Sequence, residues 1–449
     1  KEYPETIFRT GSHTSRKSSV KQHEMAALRE MEQMILAAEA VPAGAEALER
    51  ATAHLEQFLQ QVRQKRILDE KQRAMEAFRQ QFENGYTWRN GFLRNVARFG
   101  DREALIEPES GTVWTYTQLN AEANRLSHAL LRAGLQKGDV VMVQLHNCPE
   151  FVFAYLACHK TGMVFCPVNF RLSAKEITDC MDNSRPKVFL LEPETQAEVD
   201  MALRRTAHAP QILLTTDARA ARAYAGFTAD CPATEPELPW ELSVYDETLR
   251  LFTSGTTGRQ KSVCLTSINE VLSAHDVMIH FPFSFTDRSM NTTPWFHRGG
   301  LHSGGITPTL YAGGTVIIQR KFQPEKTLDM VQQYGLTFLI GVPNVLELLA
   351  EAQQKQPRDL SSLRGIVTMG SPLERADCIR YQKILTKRIF NGYGTTETFW
   401  NTFLRPDDLP EMAGSAGRSC VDDDVRVIKV YEDRVAEPDD LAATDGSEV

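Results

Sequence analysis

The chain has 449 residues, 42 % apolar and 24 % charged, ordinary globular values that argue against wholesale disorder and leave room for two or three compact units. A formal net charge of −8 gives no electrostatic ground for nucleic acid or an anionic membrane as the main partner, so an anionic ligand needs a local site of its own. No window approaches the roughly 18 uninterrupted apolar residues of a membrane span, and Lys1 to Thr10 carry no apolar leader, so the expected setting is a reducing cytoplasm, with a leader upstream of the first residue left open.

Residues 20 to 84 are rich in Ala, Glu, Gln, Arg and Leu, which favour helix, and Val41-Pro42-Ala43-Gly44 punctuates them. Leu28, Met31, Met34 and Ile35 before the break, and Leu48, Leu55, Phe58, Leu59, Val62 and Phe78 after it, recur at three- and four-residue intervals, which predicts an antiparallel helical hairpin. Such a hairpin is either a partner or self-association arm or a packed appendage with a solvated charged face, the second being preferred. From Trp88 onward short β-branched runs alternate with helical stretches, the texture of an α/β protein with largely parallel sheets. Val113 to Tyr116 and Val140 to Val143 read as strands around a helix near Leu119 to Gly134, with Gly138-Asp139 turning into the second strand. Asp230 to Pro239 reads as a loop, and Val425 to Tyr431 as a last strand. The eight cysteines (148, 158, 166, 180, 231, 264, 378 and 420) show no metal-ligand spacing and are expected to be buried thiols.

Two segments carry chemistry. Leu251-Phe252-Thr253-Ser254-Gly255-Thr256-Thr257-Gly258-Arg259-Gln260-Lys261 follows a short apolar entry with hydroxyls, two glycines and a lysine. Gly255 and Gly258 let the backbone approach a ligand, amide and hydroxyl donors suit phosphate oxygens, and Lys261 adds a point charge. It is not a Walker loop, because Gln260 stands where the glycine before the lysine is required. A plain surface turn is the alternative. In Asn391-Gly392-Tyr393-Gly394-Thr395-Thr396-Glu397, the tyrosine ring can lie against a flat base, a threonine can reach phosphate and the glutamate can hold Mg²⁺, the alternative being a turn with a capping threonine.

With Pro294-Trp295-Phe296-His297 between them and Met369-Gly370-Ser371-Pro372-Leu373 before the second, these segments resemble the adenylate-forming superfamily, its acyl- and aryl-CoA ligase branch above all, over roughly Trp88 to Val449. The resemblance implies an adenylate-forming large domain (87–449) of layered α/β subdomains with a small β-rich subdomain, preceded by a helical extension (1–86). It implies ATP, Mg²⁺ and CoA as partners in the reaction. By the same resemblance Thr253, Ser254, Gly255, Thr256, Thr257, Gly258 and Lys261 hold the β- and γ-phosphates, and Gly370, Ser371 and Pro372 wall the adenine and acyl group. Within Asn391 to Thr396, Tyr393 stacks on adenine and Thr396 meets the α-phosphate; Glu397 binds Mg²⁺, and His297 gates between the nucleotide and acyl pockets. Gln260 and Ser262 depart from the pattern, which has proline and glycine there.

The implied activity is ATP-dependent conversion of a small carboxylic acid to acyl-AMP with pyrophosphate release, then thioester formation with CoA; Lys261, Thr396, Glu397 and His297 would carry it. A carrier-protein phosphopantetheine as acceptor and a non-catalytic nucleotide-binding or assembly module are the alternatives. The family's ribose-binding aspartate and a catalytic lysine from a mobile C-terminal domain are expected after Val449, since Asp445-Gly446 lacks the context of the former. His302, Ser303, Gly304, Val342 and Pro343 are candidates for the acyl pocket.

Overall fold

The computed structural model describes residues 44–254 and 260–442, together with Arg29, Gln33 and Leu36. The chain divides into two units, Lys1–Gln80 and Gln81–Val449.

In the first unit the second arm of the expected hairpin is a 35-residue helix, Gly44–Phe78. Of its apolar positions Leu55 and Phe58 are half-buried, whereas Leu59 and Val62 are exposed, as are Ile67, Leu68 and Met75 further along. Charged side chains one turn apart, such as Arg66 and Glu70 at 3.2 Å, line its solvated surface. The first arm and residues 41–43 of the turn lie outside the described residues, apart from helical Arg29, Gln33 and Leu36.

The second unit is built on two sheets. The nine-stranded one uses β1 (Glu103–Glu107), β2 (Thr112–Thr115), β9 (Arg288–Asn291), β10 (Thr315–Ile317), β11 (Phe338–Gly341), β12 (Gly365–Met369), β13 (Ile389–Thr395), β14 (Phe399–Leu404) and β15 (Arg418–Ser419), in the order β15-β14-β13-β12-β11-β9-β10-β1-β2. The six-stranded one uses β3 (Val140–Gln144), β4 (Val164–Pro167), β5 (Val188–Leu191), β6 (Ile212–Thr215), β7 (Glu247–Ser254) and β8 (Gln260–Thr266), in the order β6-β5-β3-β4-β7-β8. The central strands are parallel and buried along their whole length, which is why runs such as Val140-Val141-Met142-Val143 do not alternate with polar residues. Antiparallel pairs close the edges: β1 with β2, β7 with β8, and β14 with β13 and β15.

Local chemistry sets the boundaries. Thr115 caps the helix Tyr116–Arg132 in a capping box with Gln118, so the strand expected through Tyr116 stops one residue earlier and the helix expected from Leu119 starts earlier. Gly138 turns the chain into β3 with a φ of 84°, open to glycine without strain. The Asp230–Pro239 stretch is a loop, pinned through Glu235 to the buried Lys160 at 2.7 Å. Val425–Tyr431 is not a strand: Ile428 bridges to Leu441 alone, and Val425, Val427 and Val430 are exposed with no strand beside them among the described residues. Seven cysteines are buried as expected, while Cys264 is exposed on β8. Among the described residues no helix is long and apolar enough to cross a membrane.

The two sheets meet at the carboxyl ends of their parallel strands. After β3, Asn147 accepts from the Trp295 amide at 2.9 Å and donates to the Thr293 carbonyl at 3.3 Å. After β5, Glu192 receives His146 at 2.6 Å and Arg320, just beyond β10, at 2.7 Å.

Candidate functional site

Parallel neighbours β9, β11, β12 and β13 end on the same edge, the place where open α/β sheets receive ligands. Their carboxyl ends open into a cleft of about 400 Å³, with Thr293 and His297 contributed after β9, Val342 after β11, Met369 and Gly370 at the end of β12, and Gly392, Gly394, Thr395 and Thr396 on β13 and its turn.

The loop after β9 is held by Asn291, whose amide donates to the carbonyls of Gly299 and Ser303 at 2.9 and 3.0 Å and whose oxygen accepts from the Thr293 amide at 2.9 Å. His297 precedes the short helix Arg298–His302 and is exposed, with its ring centroid 4.1 Å from that of Phe296. Burial by the surrounding chain lowers its pKa below the ordinary histidine value, so near neutral pH the ring is an uncharged imidazole.

The opposite wall is the β13–β14 hairpin. Gly394 sits where a Cβ would fall 1.4 Å from the Phe399 carbonyl oxygen, so only glycine admits the crossing. Phe399 itself has a φ of 67°, a left-handed conformation that costs a bulky residue about 1–3 kcal/mol. Successive strand side chains normally point to opposite faces, yet here the rings of Phe399 and Trp400 stack with centroids 4.6 Å apart and planes 15° apart. The left-handed turn at Phe399 brings both rings to the cleft side, where both contribute to its lining.

The sequence motifs distribute unevenly. His297, Gly370, Gly392, Gly394, Thr395 and Thr396 come together in the cleft wall. Tyr393 is 56 % exposed, with its neighbours on the strand in the wall, and Ser371, Pro372 and Glu397 are exposed beside wall residues. Asn391 is buried. Lys261 is exposed on β8, opposite Thr253, and is not part of the wall; Gly255, Thr256, Thr257 and Gly258 lie outside the described residues, as does the side chain of Ser254. Of the acyl-pocket candidates, Ser303 and Val342 line the cleft. His302 does not: it is fully buried against Glu270 at 2.7 Å, in a network where Tyr155 also donates to Glu270 at 2.7 Å. These partners draw the Glu270 carboxyl down to about 2, against the upward push of burial. Gly304 and Pro343 also stand outside the wall.

Arg298 was not anticipated, although it directly follows the Trp295-Phe296-His297 motif. Its guanidinium is buried in the cleft wall, donates to the Thr396 carbonyl, reaches Ser273 Oγ at 3.2 Å, and lies 5.2 Å from the centroid of Phe399. Burial lowers its pKa to about 10, partly opposed by Glu270, Asp276 and Glu397. Arg298 Nε, Thr293 Oγ1 and Ser303 Oγ are buried without a hydrogen-bond partner among the described residues, and all three residues line the cleft. Guanidinium and hydroxyl groups can each donate, so this wall offers unsatisfied donors to a ligand rich in acceptor oxygens.

A family model described as "AMP-binding enzyme" matches residues 92–440. The chain is 31 % identical over 337 residues to an indoleacetate–CoA ligase of Aromatoleum aromaticum, covering 73 % of this chain and 65 % of that one. It is 32 % identical over 335 residues to a feruloyl-CoA synthase of an Amycolatopsis species, covering 73 % and 64 %. A solved Mycobacterium tuberculosis fatty acyl CoA synthetase superposes with a TM-score of 0.70 at 25 % identity, covering 77 % of this chain and 67 % of that one. The chain thus spans about 65 % of the length of the curated relatives it matches. The matched span takes in both sheets and every segment that builds the cleft, and the chain belongs to the AMP-binding enzyme family.

Proposed function

We propose that residues 87–449 form the nucleotide-binding large domain of a cytoplasmic, AMP-forming acid–thiol ligase, with residues 1–86 a helical extension. The observation that carries this reading is the cleft at the strand ends, where partnerless buried donors of Thr293, Arg298 and Ser303 stand beside the Gly392–Thr396 turn.

A carboxylate is a poor acyl donor because its leaving group would be oxide. In the first half-reaction its oxygen forms a bond to the α-phosphorus of ATP while the bond to the bridging oxygen breaks, and pyrophosphate leaves with the electron pair. In the second, the sulfur of CoA attacks the acyl carbonyl, AMP departs, and the thiol proton passes to solvent. The protein's task is to hold two anions in line and stabilise the charge that spreads over the phosphoryl oxygens. Thr396 serves the α-phosphate, Lys261 and the Thr253–Gly258 backbone the β- and γ-phosphates, and Tyr393 with Gly370, Ser371 and Pro372 the adenine. His297, uncharged at neutral pH, gates between the nucleotide and acyl pockets without adding charge beside the adenylate. Glu397 is exposed next to Thr396, with the Arg298 charge near enough to act on it, and is a donor that suits Mg²⁺, which takes one or two carboxylates and completes its shell with phosphates and water. Bound there, the ion would neutralise phosphate charge.

Acid-dependent pyrophosphate exchange by the full-length protein tests the reaction class, and formation of ADP and phosphate in place of AMP and pyrophosphate would reject it. Calorimetry of Mg-ATP with Lys261→Ala and Glu397→Ala tests the nucleotide site; unchanged affinity and metal dependence in both folded variants would remove the assignment. Comparing free CoA with a carrier protein as thiol acceptor identifies the second substrate.

A further inference from the structure

Part of the cleft wall is aromatic. Phe399 and Trp400 each line the cleft while only 4 % exposed, so each presents little more than an edge. Trp400 is backed by Phe403, with ring centroids 4.6 Å apart, and by Phe281 at 5.8 Å. A Cβ on Gly392 would meet Trp400 Nε1 at 2.9 Å, so the indole is packed against the β13 backbone. Val342 and Met369 also line the cleft. At about 400 Å³ the cleft lies near the small end of the range for ligand pockets, and the reading above already requires it to admit part of a nucleotide. A long alkyl chain needs a continuous apolar channel, whereas the apolar side chains lining this cleft are confined to Val342, Met369, Phe399 and Trp400. An aromatic ring needs only a flat slot with ring edges and a polarizable sulfur, and these are present. The left-handed backbone at Phe399 is explained in the same way: it holds two consecutive rings on the cleft side, where regular strand geometry would keep only one.

We propose that the cleft takes a compact, planar aromatic carboxylic acid, its ring in contact with Val342, Met369, Phe399 and Trp400, and excludes long alkyl chains. The inference rests on the adenylate-forming reading and narrows its substrate class.

Acid-dependent pyrophosphate exchange with the full-length protein, comparing cinnamate and benzoate with hexanoate and palmitate, tests it. The expected result is a kcat/KM at least tenfold higher for the better aryl acid than for palmitate, and a ratio that shrinks at least fivefold in Trp400→Leu. Met369→Ala, which enlarges the same part of the cleft without removing a ring from the core, is expected to shrink the ratio too and keeps the test decisive should Trp400→Leu fail to fold. Palmitate turned over as well as the aryl acids, or a ratio unchanged in the folded variants, overturns this inference alone. Exchange with none of the acids overturns the adenylate reading together with it.

Discussion

Two hairpins, β7–β8 and β13–β14, each end a parallel sheet with an antiparallel pair and each carry a threonine- and glycine-rich segment, but they are held very differently. The β13–β14 hairpin is embedded: Phe399, Trp400 and Phe403 pack with Phe281, Phe338 and Phe390 in one cluster, and Arg298 ties the turn to the helix behind the gate histidine. The β7–β8 hairpin has Leu249, Leu251 and Leu265 in the core, but toward its tip Lys261 is exposed and Phe252 and Thr253 are only half-buried. The contrast teaches that one hairpin presents a rigid surface, assembled by packing, and the other presents a charge, supplied by sequence. Substitutions should accordingly separate: those at the first change stability and turnover together, those at the second change turnover alone.

The largest separation is expected at Lys261→Ala. Losing one well-aimed donor should cost roughly 3 kcal/mol of barrier, about a hundredfold in pyrophosphate exchange, with thermal unfolding unchanged because the side chain is exposed. A matching fall in melting temperature would erase the distinction between the hairpins. Gly394→Ala should behave oppositely: with a Cβ 1.4 Å from the Phe399 oxygen the turn must open, costing about 3 kcal/mol of folding stability as well as activity, and a loss under about 1 kcal/mol in denaturant titration would show that the crossing is looser than drawn.

Acid should act on the embedded hairpin first. His280 packs on Phe403 and its Nδ1 accepts from Arg405 at 2.7 Å, an arrangement that requires the neutral ring; burial and the neighbouring Arg405 lower its pKa to about 4. Because the folded value lies below the ordinary value near 6.5, the unfolded chain binds the extra proton first. The contribution is therefore complete above pH 6.5 and is lost as the pH falls toward 4, a change of about 3 kcal/mol. Unfolding free energies measured between pH 7 and 4.5 should show this slope in the wild type and a shallower one in His280→Gln. The smallest effect is expected at Arg250→Ala on β7, whose part-exposed bidentate pair with Glu247, two bonds of 2.7 Å, should be worth no more than about 1 kcal/mol in a double-mutant cycle.

Much of the fold was legible because it follows from local rules. Buried parallel strands such as β3 are uniformly apolar and Gly138 marks its turn, whereas the capping box at Thr115, which starts its helix at Tyr116, went unread. The site was legible where a motif lies at a strand end, as Gly370 and Thr396 do. Arg298 went unread because an arginine beside a motif looks like a solvated one until the Ser267–His280 helix and Phe399 close over it. Val425–Tyr431 was misread because alternating valines satisfy the strand pattern, whereas a strand also needs a neighbour to pair with. His302 was offered to the acyl pocket, but Glu270, 32 positions earlier, holds it in the core.

By itself the sequence determined which chemical groups are available and in what local frame: a lysine after a glycine-rich turn, threonines and a glutamate after a glycine-flanked tyrosine, a histidine after paired aromatics. Those follow from covalent order and short-range backbone preference. Tertiary structure alone decided which of them share a cleft, that two consecutive rings line it, and that buried donors were left there without partners. These features depend on long-range packing between strands and helices distant in the chain, where the energy of a residue is set by neighbours that its own segment does not contain.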